Sequence, residues 1–171
     1  PAFTNYVEGI YVGYKYYETA AQEGAIDYDK TVQYPFGYGL SYTEFEQKMG
    51  ELEEKDGQIS VDVEVTNTGD VAGKDVVEVY YEPPYTNGGI EKSSANLIEF
   101  AKTDLLQPGE SQTVTVTFSI EDMASYDENH AKAYVLEKGD YAISINSDSH
   151  TVLDQKTYTA DKDVVYKGEN K

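Results

Sequence analysis

Cysteine is absent from this chain, so no disulfide, zinc–thiolate centre or thiol nucleophile can be built from it. Tryptophan is absent too, and only two histidines, His130 and His150, are available for proton transfer or metal ligation. Neither is set in a Ser-His-Asp or metal-ligand spacing, and both read as exposed or turn residues. Cations are scarce: 13 Lys and Arg stand against 32 Asp and Glu, a net charge of −19. Such a surface repels nucleic acid and anionic membrane, both of which need basic patches. Long hydrophobic runs are missing as well, so neither a transmembrane span of about 20 apolar residues nor a signal-peptide core is recognisable. No stretch has the Asp/Asn spacing of an EF-hand, and no cofactor or metal is expected.

What the chain has in plenty is tyrosine, 17 residues, with valine and isoleucine; helix-favouring leucine is thin. The tyrosines crowd residues 1–49, at Tyr11, Tyr14, Tyr16, Tyr17, Tyr28, Tyr34, Tyr38 and Tyr42, with few aliphatic partners. That segment cannot build a core of its own and must lie on a neighbouring surface. Val7 to Tyr17 reads as a strand followed by a helical turn. Pro35, Gly37 and Gly39 give residues 34–42 the look of a tight, irregular connection. Residues 50–57, charged and bounded by glycines, read as a turn or linker.

From Gln58 the pattern changes. Ile59, Val61, Val63 and Val65 alternate with polar residues, the mark of a half-buried strand, and Asn67-Thr68-Gly69-Asp70 closes it. A second strand over 74–82 puts Val77, Val79 and Tyr81 on one face and ends at Pro83-Pro84. Further strands are expected over 96–103 and around Val114, Val116 and Phe118. A helical turn follows over 121–127, then a hairpin of 132–136 with 140–146 across Glu137-Lys138-Gly139, and a last strand over 150–159. About seven strands punctuated in this way predict an all-β sandwich of the fibronectin-III or immunoglobulin type.

Five ordered phrases carry a family resemblance. Val7-Glu8-Gly9-Ile10-Tyr11-Val12-Gly13-Tyr14-Lys15-Tyr16-Tyr17 and Tyr34-Pro35-Phe36-Gly37-Tyr38-Gly39-Leu40-Ser41-Tyr42-Thr43 resemble the end of the α/β domain of family 3 glycoside hydrolases. Val65-Thr66-Asn67-Thr68-Gly69 through Gly73-Lys74-Asp75-Val76-Val77, then Leu106-Gln107-Pro108-Gly109-Glu110-Ser111, resemble the fibronectin-III-like domain that follows it there. Gly139-Asp140-Tyr141 with Asn146-Ser147-Asp148-Ser149 resembles that domain's closing strand. Lys15 stands where the family usually has Arg, Ala133-Tyr134 near its usual Trp, and Asn146 where Gly is common.

The resemblance implies three segments: 1–49 as the end of the α/β domain, 50–160 as the sandwich, and 161–171 as a polar tail or linker. It implies a parent that hydrolyses β-glucosides by retention, which takes two carboxyls about 5–5.5 Å apart. The family's motifs for both lie outside this chain, so no catalytic residue is expected here. The implied partners are the catalytic TIM-barrel and α/β domains of the parent, with a homo-oligomer contact as a further option. The start at Pro1-Ala2-Phe3, without Met, fits a piece of a larger protein, and the tail fits a barrel placed after this domain. A soluble bacterial protein, cytoplasmic in preference to secreted, is the expected setting. Candidate sugar-cleft or interface residues are Glu8, Tyr38, Tyr42, Tyr85 and Asn87; Gly37, Gly39, Gly69 and Gly139 are expected to serve backbone geometry. A stand-alone carbohydrate-binding or adhesion sandwich is the alternative.

Overall fold

A computed structural model describes residues 9–39 and 41–167. Two helices, α1 (Tyr14–Gln22) and α2 (Tyr28–Thr31), precede β1 (Phe45–Lys55), β2 (Gln58–Asn67), β3 (Val76–Glu82), β4 (Asn96–Lys102) and β5 (Ser111–Ser119). After a 3-10 turn, Ile120–Met123, come β6 (Ser125–Asp127), β7 (Ala133–Leu136), β8 (Gly139–Asn146), β9 (Val152–Ala160) and β10 (Val164–Tyr166). Seven strands form two antiparallel sheets, ordered β1-β2-β5 and β4-β3-β8-β9, and β10-β7-β6 makes a small third sheet. The fold is the expected all-β sandwich.

The alternation of β2 and β5 sets their register. Ile59, Val61 and Val63 lie opposite Phe118, Val116 and Val114, so both apolar rows fall on one face. A slip of one residue would turn both rows to solvent. Val77 and Val79 of β3, with Tyr141, Ile143 and Ile145 of β8, complete the core between the sheets. Each fully buried aliphatic side chain contributes about 1.5–3 kcal/mol.

Three expectations need correcting. Residues 50–57 are not a linker: β1 runs on to Lys55, and Asp56 and Gly57, at φ 53° and 77°, make the two-residue turn into β2. Two consecutive positive φ values match the right-handed twist of a hairpin. Of β1, Phe45, Met49 and Leu52 join or pack against the core, and Glu51, Glu53 and Glu54 lie on an exposed edge strand. The hairpin of 132–136 with 140–146 does not form, because β7 pairs with β6 and β10 while β8 pairs with β3 and β9. Glu137 and Lys138 lack the positive φ values of a tight hairpin and instead step the chain from one sheet to another. The tail is a strand in part, since Val164–Tyr166 pairs with β7 and Asp163 accepts the Lys138 amide at 2.6 Å. In β3 a bulge between Val79 and Tyr80 breaks the register with β4. Val77 and Val79 face the core with Tyr81 packed against it, as expected, while Tyr80 is buried on the opposite face of the sheet.

Candidate functional site: the junction on the outer sheet face

Glu78 and Tyr80 of β3 lie opposite Asn146 and Ser144 of β8, on the face of the four-stranded sheet turned away from the core. Such a face should be wet. Tyr80 and Asn146 are nevertheless each only 2% exposed, because the segment before β1 covers them.

Aromatic stacking places the first part of that cover. The Tyr14 ring meets Tyr80 edge-on at 6.3 Å, and Phe36 stacks on Tyr14 at 4.5 Å with 12° between planes. The Tyr14 hydroxyl accepts the Leu97 amide at 3.0 Å, and the Ser149 amide donates to the Phe36 carbonyl at 2.7 Å. Gly37 has φ 85°, and a Cβ there would stand 2.7 Å from Glu78 Oε2. The positive φ calls for glycine, and a Cβ would also push the Glu78 carboxylate aside. Glu78 also accepts the Tyr80 hydroxyl at 3.0 Å. Burial holds its carboxyl above the usual range; the Tyr80 bond opposes this, and the nearby Asp148 and Asp75 charges add to it.

A polar node fastens α1. Glu18, 7% exposed, accepts the Tyr28 hydroxyl at 2.6 Å and the Ser149 hydroxyl at 2.7 Å on Oε1. His150 Nδ1 lies 2.8 Å from Oε2, so that nitrogen carries the shared proton. The His150 ring stacks on Tyr28 at 3.7 Å and 4°. Burial and the Glu18 bond push the Tyr28 phenol well above its usual range. Ser149 and His150 both bond the carboxylate and not each other, so the imidazole does not face the serine hydroxyl. The cluster fastens two segments 131 residues apart; it is not a nucleophilic triad.

A third set of bonds ties α1 to the β3–β4 loop. Gln22 donates to Glu82 at 2.6 Å, and the Ser94 amide donates to Thr19 Oγ1 at 3.1 Å. Tyr11 donates to Glu91 at 2.6 Å. Beneath them Lys92 is buried, bonded to the Pro84 carbonyl and paired with Glu137.

The residues singled out from sequence fall in different places. Tyr42 is 97% exposed, and Tyr38 is half-exposed beside Tyr34, ring centres 5.2 Å apart. Tyr85 lies at the mouth of a cleft beside α1, and Asn87 lies in the exposed turn closed by the Gly89 amide on Thr86. Glu8 falls outside the described residues. A Cβ on Gly69 would meet Thr43 Oγ1 at 2.1 Å, and one on Gly139 would meet Pro84 at 3.0 Å, whereas Gly39 has open space. The node residues Glu18, Tyr28, Ser149 and His150 were not singled out as a group. Their one sequence signal is a lone carboxylate in the uncharged stretch from Tyr16 to Gln22. Among the described residues no group of three or more His, Asp or Glu is placed to hold a metal ion.

Comparison with known proteins accounts for a face built in this way. Residues 75–149 match the fibronectin type III-like domain family. Over 95% of its length the chain is 40% identical to β-glucosidase A of Butyrivibrio fibrisolvens, and over 98% it is 35% identical to a β-glucosidase of Kluyveromyces marxianus. It spans about a fifth of each, 21% and 20%. β-Glucosidase 3B of Thermotoga neapolitana, solved with α-D-glucose, superposes over 93% of this chain and 20% of its own, with TM-score 0.79 and 34% identity. The likeness runs through the junction as well as the sandwich: the chain carries a fibronectin type III-like domain and, over nearly all of its length, is similar to one part of the family 3 β-glucosidases.

Proposed function

We propose that this domain is a non-catalytic brace in a β-glucosidase-type enzyme, holding the end of an α/β domain against the sandwich so that the catalytic layers keep a fixed geometry. The observation that carries this reading is the buried node of Glu18, Tyr28, Ser149 and His150, which fastens the junction to the outer sheet face. No pair of groups in the node is arranged for bond cleavage. The parent's chemistry, hydrolysis of O-glycosyl bonds in β-glucosides, is assigned to TIM-barrel and α/β domains beyond these residues. Segment 1–49 is then the remnant of that α/β domain.

Exposed rings support the reading. Ile10, Val12, Tyr16, Tyr17, Tyr34 and Phe36 are all substantially exposed on the junction, and so many large apolar side chains left open on one short segment suit an interface. The parent's remaining domains are the partner, with a second copy of the parent as a further contact. Glu18→Ala in the full-length parent tests the assignment. A brace predicts a lower melting temperature, with kcat/KM well below melting changed by no more than about twofold, since the mutation touches no reacting group. A large fall in kcat with an unchanged melting temperature would place the node in the chemistry and end the bracing role.

A further inference from the structure

Asn87 and Gly88 form the tip of the β3–β4 loop, and both are exposed. The Gly89 amide closes a turn there on the Thr86 carbonyl at 2.9 Å, and Gly88 takes φ 82° at its third position, the type II form. We propose that Asn87 is the deamidation site of this fold, singled out because the backbone amide that follows it is free, a property independent of the bracing role.

The reaction needs the amide nitrogen of the next residue. That nitrogen gives its proton to solvent base and attacks the Asn87 side-chain carbonyl carbon. A five-membered succinimide forms as the new N–Cγ bond closes and ammonia leaves. Water then opens the ring. Breaking the new N–Cγ bond leaves aspartate, and breaking the original peptide bond leaves isoaspartate. One water enters and one ammonia departs, with no change of oxidation state.

Hydrogen bonding selects Asn87. The Gly88 amide donates to no group among the described residues. Glycine puts no side chain in the path of attack, and even a Cβ there would meet nothing within 4 Å, so the ring closes in open space. The other described asparagines are each followed by a committed amide. Thr68, after Asn67, donates to the Glu44 carbonyl at 2.9 Å, and Leu97, after Asn96, donates to the Tyr14 hydroxyl at 3.0 Å. His130, after Asn129, donates to Asp127 at 3.0 Å, and Ser147, after Asn146, donates to the Thr151 carbonyl at 3.0 Å. Asn67, Asn96 and Asn146 are buried as well. Each of these amides must break its bond before it can attack. Conversion of Asn87 would add a carboxylate to a loop that already carries Glu91, and isoaspartate would put one more backbone atom into the turn that Gly89 closes.

Incubating the 171-residue chain at mildly alkaline pH, with peptide mapping by mass spectrometry over time, tests this assignment. The peptide holding Asn87 should gain one dalton and resolve into aspartyl and isoaspartyl forms. It should convert at least about tenfold faster than the peptides holding Asn67, Asn96, Asn129 and Asn146, the factor that roughly 1.4 kcal/mol of local opening supplies. Unfolding the chain in guanidinium chloride should narrow that gap, because the four committed amides are then released. An Asn87 that keeps its amide would overturn the proposal. So would faster conversion at any of the other four, or a gap that guanidinium leaves unchanged.

Discussion

Glu78 and Asp127 are carboxylates held in opposite ways. Glu78 lies half-buried under Gly37, near Asp148 and Asp75, with one hydroxyl donor, and its pKa is raised, mainly by burial. Asp127 accepts the amides of Ala131, His130 and Asn129 at 2.9, 3.0 and 3.1 Å, and those bonds lower its pKa. The folded chain therefore binds a proton at Glu78 more tightly than the unfolded chain does. That stability is fully present below the ordinary carboxylate pKa and is lost as pH rises through the raised value. For Asp127 the sign reverses: stability is present above the ordinary value and is lost as pH falls through the lowered one. Glu78→Gln should thus raise the melting temperature at neutral pH, with the gain shrinking as pH falls below the ordinary carboxylate range. Asp127→Ala should lower it at neutral pH, with the loss shrinking in strong acid. Melting curves at several pH values check both, and a pH-independent offset in either variant would show that packing, not ionisation, sets the difference.

Among the elements, those legible from sequence are the ones whose side chains alternate against one core. β2 and β5 bury every second residue, and period-two patterning found them; β8 was found from Tyr141, Ile143 and Ile145, although Ser144 and Asn146 between and beyond them are buried as well. β1 escaped because an edge strand needs few apolar residues inside, here Phe45, Met49 and Leu52, and its glutamates looked like a linker. β6 and β10 escaped because three-residue strands are too short to show a period. The node at Glu18 escaped because its members lie up to 132 residues apart and meet only through tertiary docking.

The Asn67-Thr68-Gly69 phrase was legible as a turn, but its bonding was not. Asn67, fully buried, accepts from the Thr43 hydroxyl and the Gly69 amide and donates to the Val71 and Leu106 carbonyls. One side chain thus joins the junction's end, the turn after β2 and the approach to β5. Asn67→Ala leaves buried groups without partners and should cost about 2–4 kcal/mol in urea unfolding. Asn87→Ala, on an exposed loop tip, should stay within about 0.5 kcal/mol. A cost at Asn67 no larger than at Asn87 would show that water replaces the lost bonds.

For the molecule as a whole, the question is where the independent folding unit begins. The composition shift placed it at Gly50, inside β1. The ladder from Phe45 opposite Asn67 to Met49 opposite Val63 lies before that boundary. So do Thr43, which donates to Asn67, and the Glu44 carbonyl, which accepts the Thr68 amide at 2.9 Å. A chain starting at Ser41 keeps all of these and loses only the docked junction. It bares Tyr80, Ser144 and Asn146 on the outer face but leaves the inter-sheet core closed. One starting at Gly50 also loses the buried Met49 and half the hydrogen bonds that cover β2. Losing that side chain and its ladder should cost at least about 3 kcal/mol. The Ser41 chain should therefore unfold in one cooperative transition and bind a hydrophobic dye on its bared face, while the Gly50 chain should unfold at much lower urea or aggregate. Equal urea midpoints for the two would return the boundary to Gly50 and reduce the first half of β1 to part of the junction.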